Sequence, residues 1–117
     1  MRKKTTFQQR QGDLLFETVA SVPNTARPTR DNVLAHGEVT GHCHQIVGDG
    51  FDHYIDDSPG AMSEGLGAHH YVRTGNTGAT SKHETHGPIT MPAETVTKVT
   101  RQRSLDFATL TPRVVAD

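Results

Sequence analysis

The chain has no tryptophan, one cysteine and 5% aromatic residues, and each shortage removes a class of explanation. A lone Cys43 rules out an internal disulfide and suits a reducing compartment, leaving only pairing between chains. With 32% hydrophobic residues, against the ~45–50% of an average globular domain that also counts glycine, the core is expected to be thin. Charge of one sign is scarce too. Twelve Lys and Arg against thirteen Asp and Glu give a net charge of −1, so there is no electrostatic case for nucleic acid or an anionic membrane as partner. No run of about 18 apolar residues occurs and no apolar segment follows the basic start, so neither a membrane span nor a secretory signal is expected. That places the protein in the cytoplasm unless it leaves inside a particle.

At 117 residues the chain fits one domain. A domain this small buries a modest fraction of its surface, so part of its apolar surface is expected to meet other subunits. Residues 1–10 read as a basic N-terminal arm with Arg2, Lys3, Lys4 and Arg10, and residues 11–117 as a single β domain. Leu14–Val19 is a short apolar strand, and Pro23 and Pro28 mark the next stretch as surface loop. Asn32–His36 and Glu38–Val47 are β-prone, and Gly48-Asp49-Gly50 predicts a tight turn with Phe51–Ile55 as the returning strand. A polar, glycine-rich region spans about 56–81, interrupted by a short strand at His69–Arg73. Ile89–Met91, bracketed by Pro88 and Pro92, predicts an edge strand, and Glu94–Arg101 is rich in β-branched residues. Ser104 is placed to cap one helical turn that Pro112 limits. These features predict an all-β fold, a small antiparallel sandwich or barrel of jelly-roll-like form, with at most one short helix near the C-terminus.

Histidine is the residue the chain has in plenty, eight in all, and four of them fall in two pairs. His42 and His44 lie one residue apart in a β-prone run, so they share one strand face while Cys43 takes the other. His83 and His86 make the second pair, in His83-Glu84-Thr85-His86-Gly87-Pro88. Together they could supply a four-imidazole metal site for a divalent transition metal such as zinc, or a polar seam with no metal at all. The first pair has cupin-like spacing, without the acidic ligand that usually follows it. The second misses the helical metalloprotease pattern, and Gly87-Pro88 forbids that helix. Cys43 has no neighbouring base in sequence, no nucleophile elbow occurs, and Asp56-Asp57 sits in a Pro/Gly loop where ordinary carboxylate behaviour is expected. No catalytic set is therefore assigned.

Arg10-Gln11-Gly12-Asp13, Gly37-Glu38-Val39-Thr40-Gly41-His42-x-His44-x-Ile46, His83-x-x-His86-Gly87-Pro88-Ile89 and Arg101-Gln102-Arg103 form a pattern across nearly the whole chain. It resembles a family of short, largely uncharacterised proteins of bacteria and their tailed phages. The resemblance implies context and a shared β framework rather than an activity. It suggests a non-catalytic structural protein of a multi-subunit assembly, a capsid-decorating (cement) protein of a virion that binds the major capsid protein or copies of itself. In that reading Phe7 would seat in a neighbour's pocket, with Arg2, Lys3 and Lys4 meeting acidic rim residues, and no cofactor is needed. The alternative is a cytoplasmic cupin-like metal-binding domain using His42, His44, His83 and His86, with enzymatic chemistry possible.

Overall fold

The structure, a computed structural model, describes residues 7–12, 14–36, 43–64, 67–83, 87–101, 103–106 and 111–114. In chain order its elements are β1 (Gln8–Gln11), β2 (Leu14–Val19), β3 (Arg27–Thr29), β4 (Val33–His36), β5 (Cys43–Gly48) and β6 (Phe51–Asp56). Then come α1 (Pro59–Glu64), β7 (His69–Thr74), β8 (Ala79–Lys82), β9 (Ile89–Met91), β10 (Val96–Arg101), β11 (Arg103–Asp106) and β12 (Thr111–Val114). They form a six-stranded antiparallel sheet, β1-β2-β10-β7-β6-β3, a four-stranded one, β4-β5-β8-β9, and the hairpin β11-β12.

Alternation along the strands builds the core between the two sheets. Leu14 and Phe16 of β2, Val99 of β10 and Val72 of β7 face inward from the larger sheet, and Leu34, Ile46, Ala79, Ile89 and Met91 face them from the smaller one, all in one cluster. Phe16, Val99 and His70 are consecutive partners across β2, β10 and β7, so His70 lies on the same core face. The all-β sandwich expected from the strand pattern is what forms. The core is small, as the composition requires. Yet among the described residues Met62 alone is a large hydrophobic side chain left exposed, so the shortage is not met by a broad apolar patch.

Three local expectations are corrected. Gly48-Asp49-Gly50 does not close a hairpin: β5 belongs to the smaller sheet and β6 to the larger, so the segment is a corner between sheets. The positive φ of Gly50, 69°, serves a corner as well as a hairpin, and the pairing of β5 with β8 and of β6 with β7 decides between them. The chain returns through a second corner at Gly75–Gly78, with Phe51 opposite Thr74 on one sheet and Gly48 opposite Ala79 on the other. The helix lies at Pro59–Glu64, within the stretch read as loop, while Arg103–Asp106 is a strand. Ser58 caps α1, its Oγ accepting from the Ala61 N–H at 3.4 Å, and Pro59 occupies the first helical position where its missing N–H costs nothing. Finally, the basic arm is shorter than expected, because Gln8, Gln9 and Arg10 pair with β2.

Close approach makes one corner glycine irreplaceable. A Cβ on Gly78 would collide with the Met91 carbonyl oxygen, a backbone atom that cannot swing away, whereas a Cβ on Gly60 in α1 meets open space. Gly78→Ala is expected to destabilise the fold by about 1–3 kcal/mol, and Gly60→Ala to stabilise it by up to about 1 kcal/mol, in urea denaturation. Thr97 tests the core itself. Its buried Oγ1 has no hydrogen-bond partner among the described residues, so Thr97→Val, which keeps the shape and removes the unmet hydroxyl, should gain about 1 kcal/mol in the same assay.

Candidate functional site

Two clusters of histidine lie on the core faces, and each is built by strand register. In the smaller sheet Ile46 pairs with Ser81 and Gln45 with Lys82, so His44 and His83 come opposite one another one step further along. Their ring centroids are 4.5 Å apart, inclined at 42°. His44 is fully buried and His83 half-buried. From the larger sheet Gln11, opposite Leu14 and also buried, reaches across the sandwich. Its Nε2 donates to the carbonyls of Ser81 and Gly87, both at 2.8 Å. Its Oε1 accepts from Ser81 Oγ at 2.7 Å and meets His44 Nδ1 at 2.9 Å. A single amide thereby joins β1, β5, β8 and the segment leading to β9.

The second cluster is on the larger sheet. His53 Nδ1 donates to the carbonyl of Asp31, in the segment that carries the chain from β3 to β4 and so from one sheet to the other. Because a carbonyl can only accept, the His53 proton sits on Nδ1. Its Nε2 must then accept from His70 Nδ1–H, 2.8 Å away, with the rings stacked at 5.1 Å. Burial holds the His53 pKa below its ordinary value, against a partial upward pull from Asp31. The His70 pKa is pushed down to about 4, first by burial and then by the positive charge that His53, His69 and Arg101 would present, with Asp31 opposing. Both rings are held neutral, and the hydrogen-bond chain requires it.

Of the four histidines singled out by sequence, the structure brings His44 and His83 together, and His42 and His86 lie outside the described residues. Among the described residues no three His, Cys, Asp or Glu side chains are grouped to hold a metal. Cys43 is half-buried on the opposite face of β5 from His44. Asp56 departs from expectation. It is buried, and its carboxylate accepts from Thr25 Oγ1 at 2.8 Å and from the Ser58 N–H at 3.1 Å. The Ser58 side chain first, then the Thr25 hydroxyl and the Ser58 N–H, hold its pKa below the usual range against burial, while exposed Asp57 pairs with Arg27 at 2.9 Å. Both carboxylates fasten loops. Arg2, Lys3 and Lys4 lie outside the described residues. Phe7, expected in a neighbour's pocket, instead packs half-buried against its own core. Its N–H donates to Thr18 Oγ1 and its carbonyl accepts from the Thr18 N–H, both at 3.0 Å.

The family model described as "Domain of unknown function (DUF8820)" matches residues 10–101. The chain belongs to this family. The DUF8820 match takes in Gln11, His44, Ser81, His83, His53 and His70, so both histidine clusters fall inside the family domain. No curated protein and no solved structure matches the chain significantly.

Sequence reasoning missed Gln11, Ser81, His53 and His70. The His53–His70 pair has a measurable consequence. In the unfolded chain His70 titrates at its ordinary value of 6.5 and in the folded domain at about 4, so between these values the unfolded state binds more protons. Stability is therefore complete above pH 6.5 and is lost as the pH falls towards 4. Thermal unfolding followed across pH 4–7 should show this decline, and His70→Gln, with no titrating ring, should flatten it. Equal slopes for the two proteins would show that His70 is not held neutral.

Proposed function

We propose that this DUF8820 domain is a non-catalytic, cupin-like β-sandwich that holds a divalent transition metal, with His44 and His83 as imidazole ligands and His42 and His86 as the further ligands that the sequence offers. The observation that carries the reading is the bond between His44 Nδ1 and Gln11 Oε1 at 2.9 Å, beside the His83 ring. A metal-ligating histidine characteristically donates its second ring nitrogen to a fixed acceptor, and a buried glutamine with all its own bonds made is such an acceptor. Neutral imidazoles suit zinc and its transition-metal neighbours and not magnesium or calcium. The competing account is a polar seam that only closes a thin core.

Metal analysis of the purified protein separates the two. One equivalent of zinc or another transition metal is expected, and a chelator should lower the melting temperature, since metal bound only to the folded state at about 100 times its Kd adds about 2.7 kcal/mol. His42→Ala with His44→Ala should abolish binding, and His83→Ala should weaken it. Metal-free protein with a melting temperature indifferent to chelator and to added zinc would retire the reading.

A second reading, that the domain works as one subunit of an assembly and decorates a phage capsid, is favoured by β1. This strand ends the larger sheet, pairs only with β2 among the described residues, and exposes Gln8, Gln9 and Arg10. In sequence it follows Arg2, Lys3 and Lys4 after three intervening residues, and an open edge with a basic run upstream suits strand addition to an acidic partner. With Phe7 committed to its own core, the basic residues and the β1 edge carry this reading. Deleting residues 1–6 should leave melting nearly unchanged and weaken cosedimentation with capsids in a salt-dependent way; equal binding by both forms would remove the arm from the interface.

A further inference from the structure

We infer that Gln11 is the residue that positions His44, fixing its proton on Nδ1 and so making Nε2 the ligating nitrogen. The inference deepens the metal-binding reading and rests on it for its purpose, though the proton position can be tested without any metal.

The argument begins with the two carbonyls. Ser81 O and Gly87 O both lie 2.8 Å from one nitrogen position of the Gln11 amide, and carbonyls only accept. If the amide were turned over, its oxygen would face both of them at that distance, two acceptor–acceptor contacts in a buried site. The amide orientation is therefore set by backbone and not by His44. Its oxygen, in turn, can only accept, and Ser81 Oγ at 2.7 Å and His44 Nδ1 at 2.9 Å are the two groups placed to donate to it. His44 consequently carries its proton on Nδ1, and in the neutral ring the lone pair is on Nε2. The chain of cause runs from backbone to amide to imidazole.

Burial makes the arrangement firm. Gln11 is 2% exposed, and Ser81 and His44 are fully buried, so water does not compete for these groups and every donor and acceptor of the amide is used. The same amide holds Ser81, two residues before His83, and Gly87, so it ties β8 to the segment that leads into β9. Gln11 touches neither metal nor ligand nitrogen; it acts through His44. The Arg10-Gln11-Gly12-Asp13 block of the sequence pattern gains a role through Gln11.

The test uses the full chain labelled with ¹⁵N and stripped with chelator. Two-bond ¹H–¹⁵N spectra of the imidazoles report which nitrogen bears the proton. Wild type is expected to show His44 protonated on Nδ1. Gln11→Met, of similar length but without acceptor, should give a mixture of tautomers and about 10–100-fold weaker zinc binding, the usual cost of losing such an outer partner. Gln11→Glu, whose carboxylate still accepts from Nδ1–H, should restore the Nδ1 proton even if it loosens Gly87, and it serves where Gln11→Met does not fold. Ser81→Ala should leave the tautomer unchanged, because the two carbonyls still set the amide. A wild-type His44 protonated on Nε2 overturns the inference, as does a tautomer that Gln11→Met leaves untouched in a folded protein or one that Ser81→Ala scrambles. Wild type with the expected tautomer that binds no zinc would instead remove the metal reading and leave the positioning role standing.

Discussion

Everything near the middle of this molecule depends on one buried amide reaching from one sheet to the other. The core has few large side chains to spend, and the hydrophobic cluster is drawn from both sheets without an aromatic on the smaller one. In such a core a polar bridge adds specificity that apolar contact does not, because the Gln11 bonds have one geometry while apolar packing has many near-equivalent ones. A slip of β1 by one residue would turn Gln11 out to solvent and bring Arg10 in, breaking the Gln11 bonds to Ser81, Gly87 and His44. Leaving a buried group unpaired costs about 1–3 kcal/mol, so the register of β1, which exposed Gln8–Arg10 do nothing to specify, is set at its two ends, by Phe7 against Thr18 and by Gln11.

The double corner plays the matching part for the rest of the chain. β5 to β6 and β7 to β8 form one two-stranded ribbon bent across both sheets, which is why His44 and Ser81 can sit on one sheet while His53 and His70 sit on the other. Around the bend the ribbon is tied by Thr77 Oγ1 to the Asp49 carbonyl at 3.0 Å and by Thr74 Oγ1 to the Pro92 carbonyl at 2.6 Å. The backbone of Gly78 lies so close to Met91 that the corner also fixes where β9 begins its exit. Short-range turn chemistry and long-range pairing are thus the same structural fact seen at two scales.

Much of the framework was legible because burial leaves a period in the residues. Leu14 and Phe16 alternate, as do Thr97 and Val99 and the Ile89–Met91 pair, and those strands form where the alternation lies. The His44–His83 meeting was legible in part, since two histidine pairs in short β segments can hardly avoid one another in so small a domain. Gln11 was not, because its partners stand 70 and 76 residues away and nothing in its neighbourhood marks it. His53 and His70 were hidden for a like reason: each sits in an ordinary strand, and only the register of β6 on β7 brings them together. The corner at Gly48–Gly50 and the position of the helix failed differently. There the local signal was real, but it was shared by two structures, and a competing signal at Ser58-Pro59 outranked the one at Ser104. Phe7 is the limiting case, a single aromatic in a polar run whose burial depends wholly on β1 folding back along β2.

The two histidine clusters are held in different ways. In the pair on the larger sheet the Nε2 lone pair of His53 is spent accepting from His70, and its other nitrogen is spent donating to Asp31. A metal there could reach only the Nε2 of His70 without breaking the bond that joins the rings. In the pair on the smaller sheet His44 donates its Nδ1 proton to the Gln11 amide, the arrangement on which the metal proposal rests. The His53–His70 bond demands neutral rings, so acid works against it. Protonating His53 on Nε2 breaks the tie between β6 and β7 and leaves the Nδ1–H bond to Asp31 in place. The fixed amide of Gln11, in place of a second imidazole, is what sets the His44 pair apart from the His53–His70 clasp.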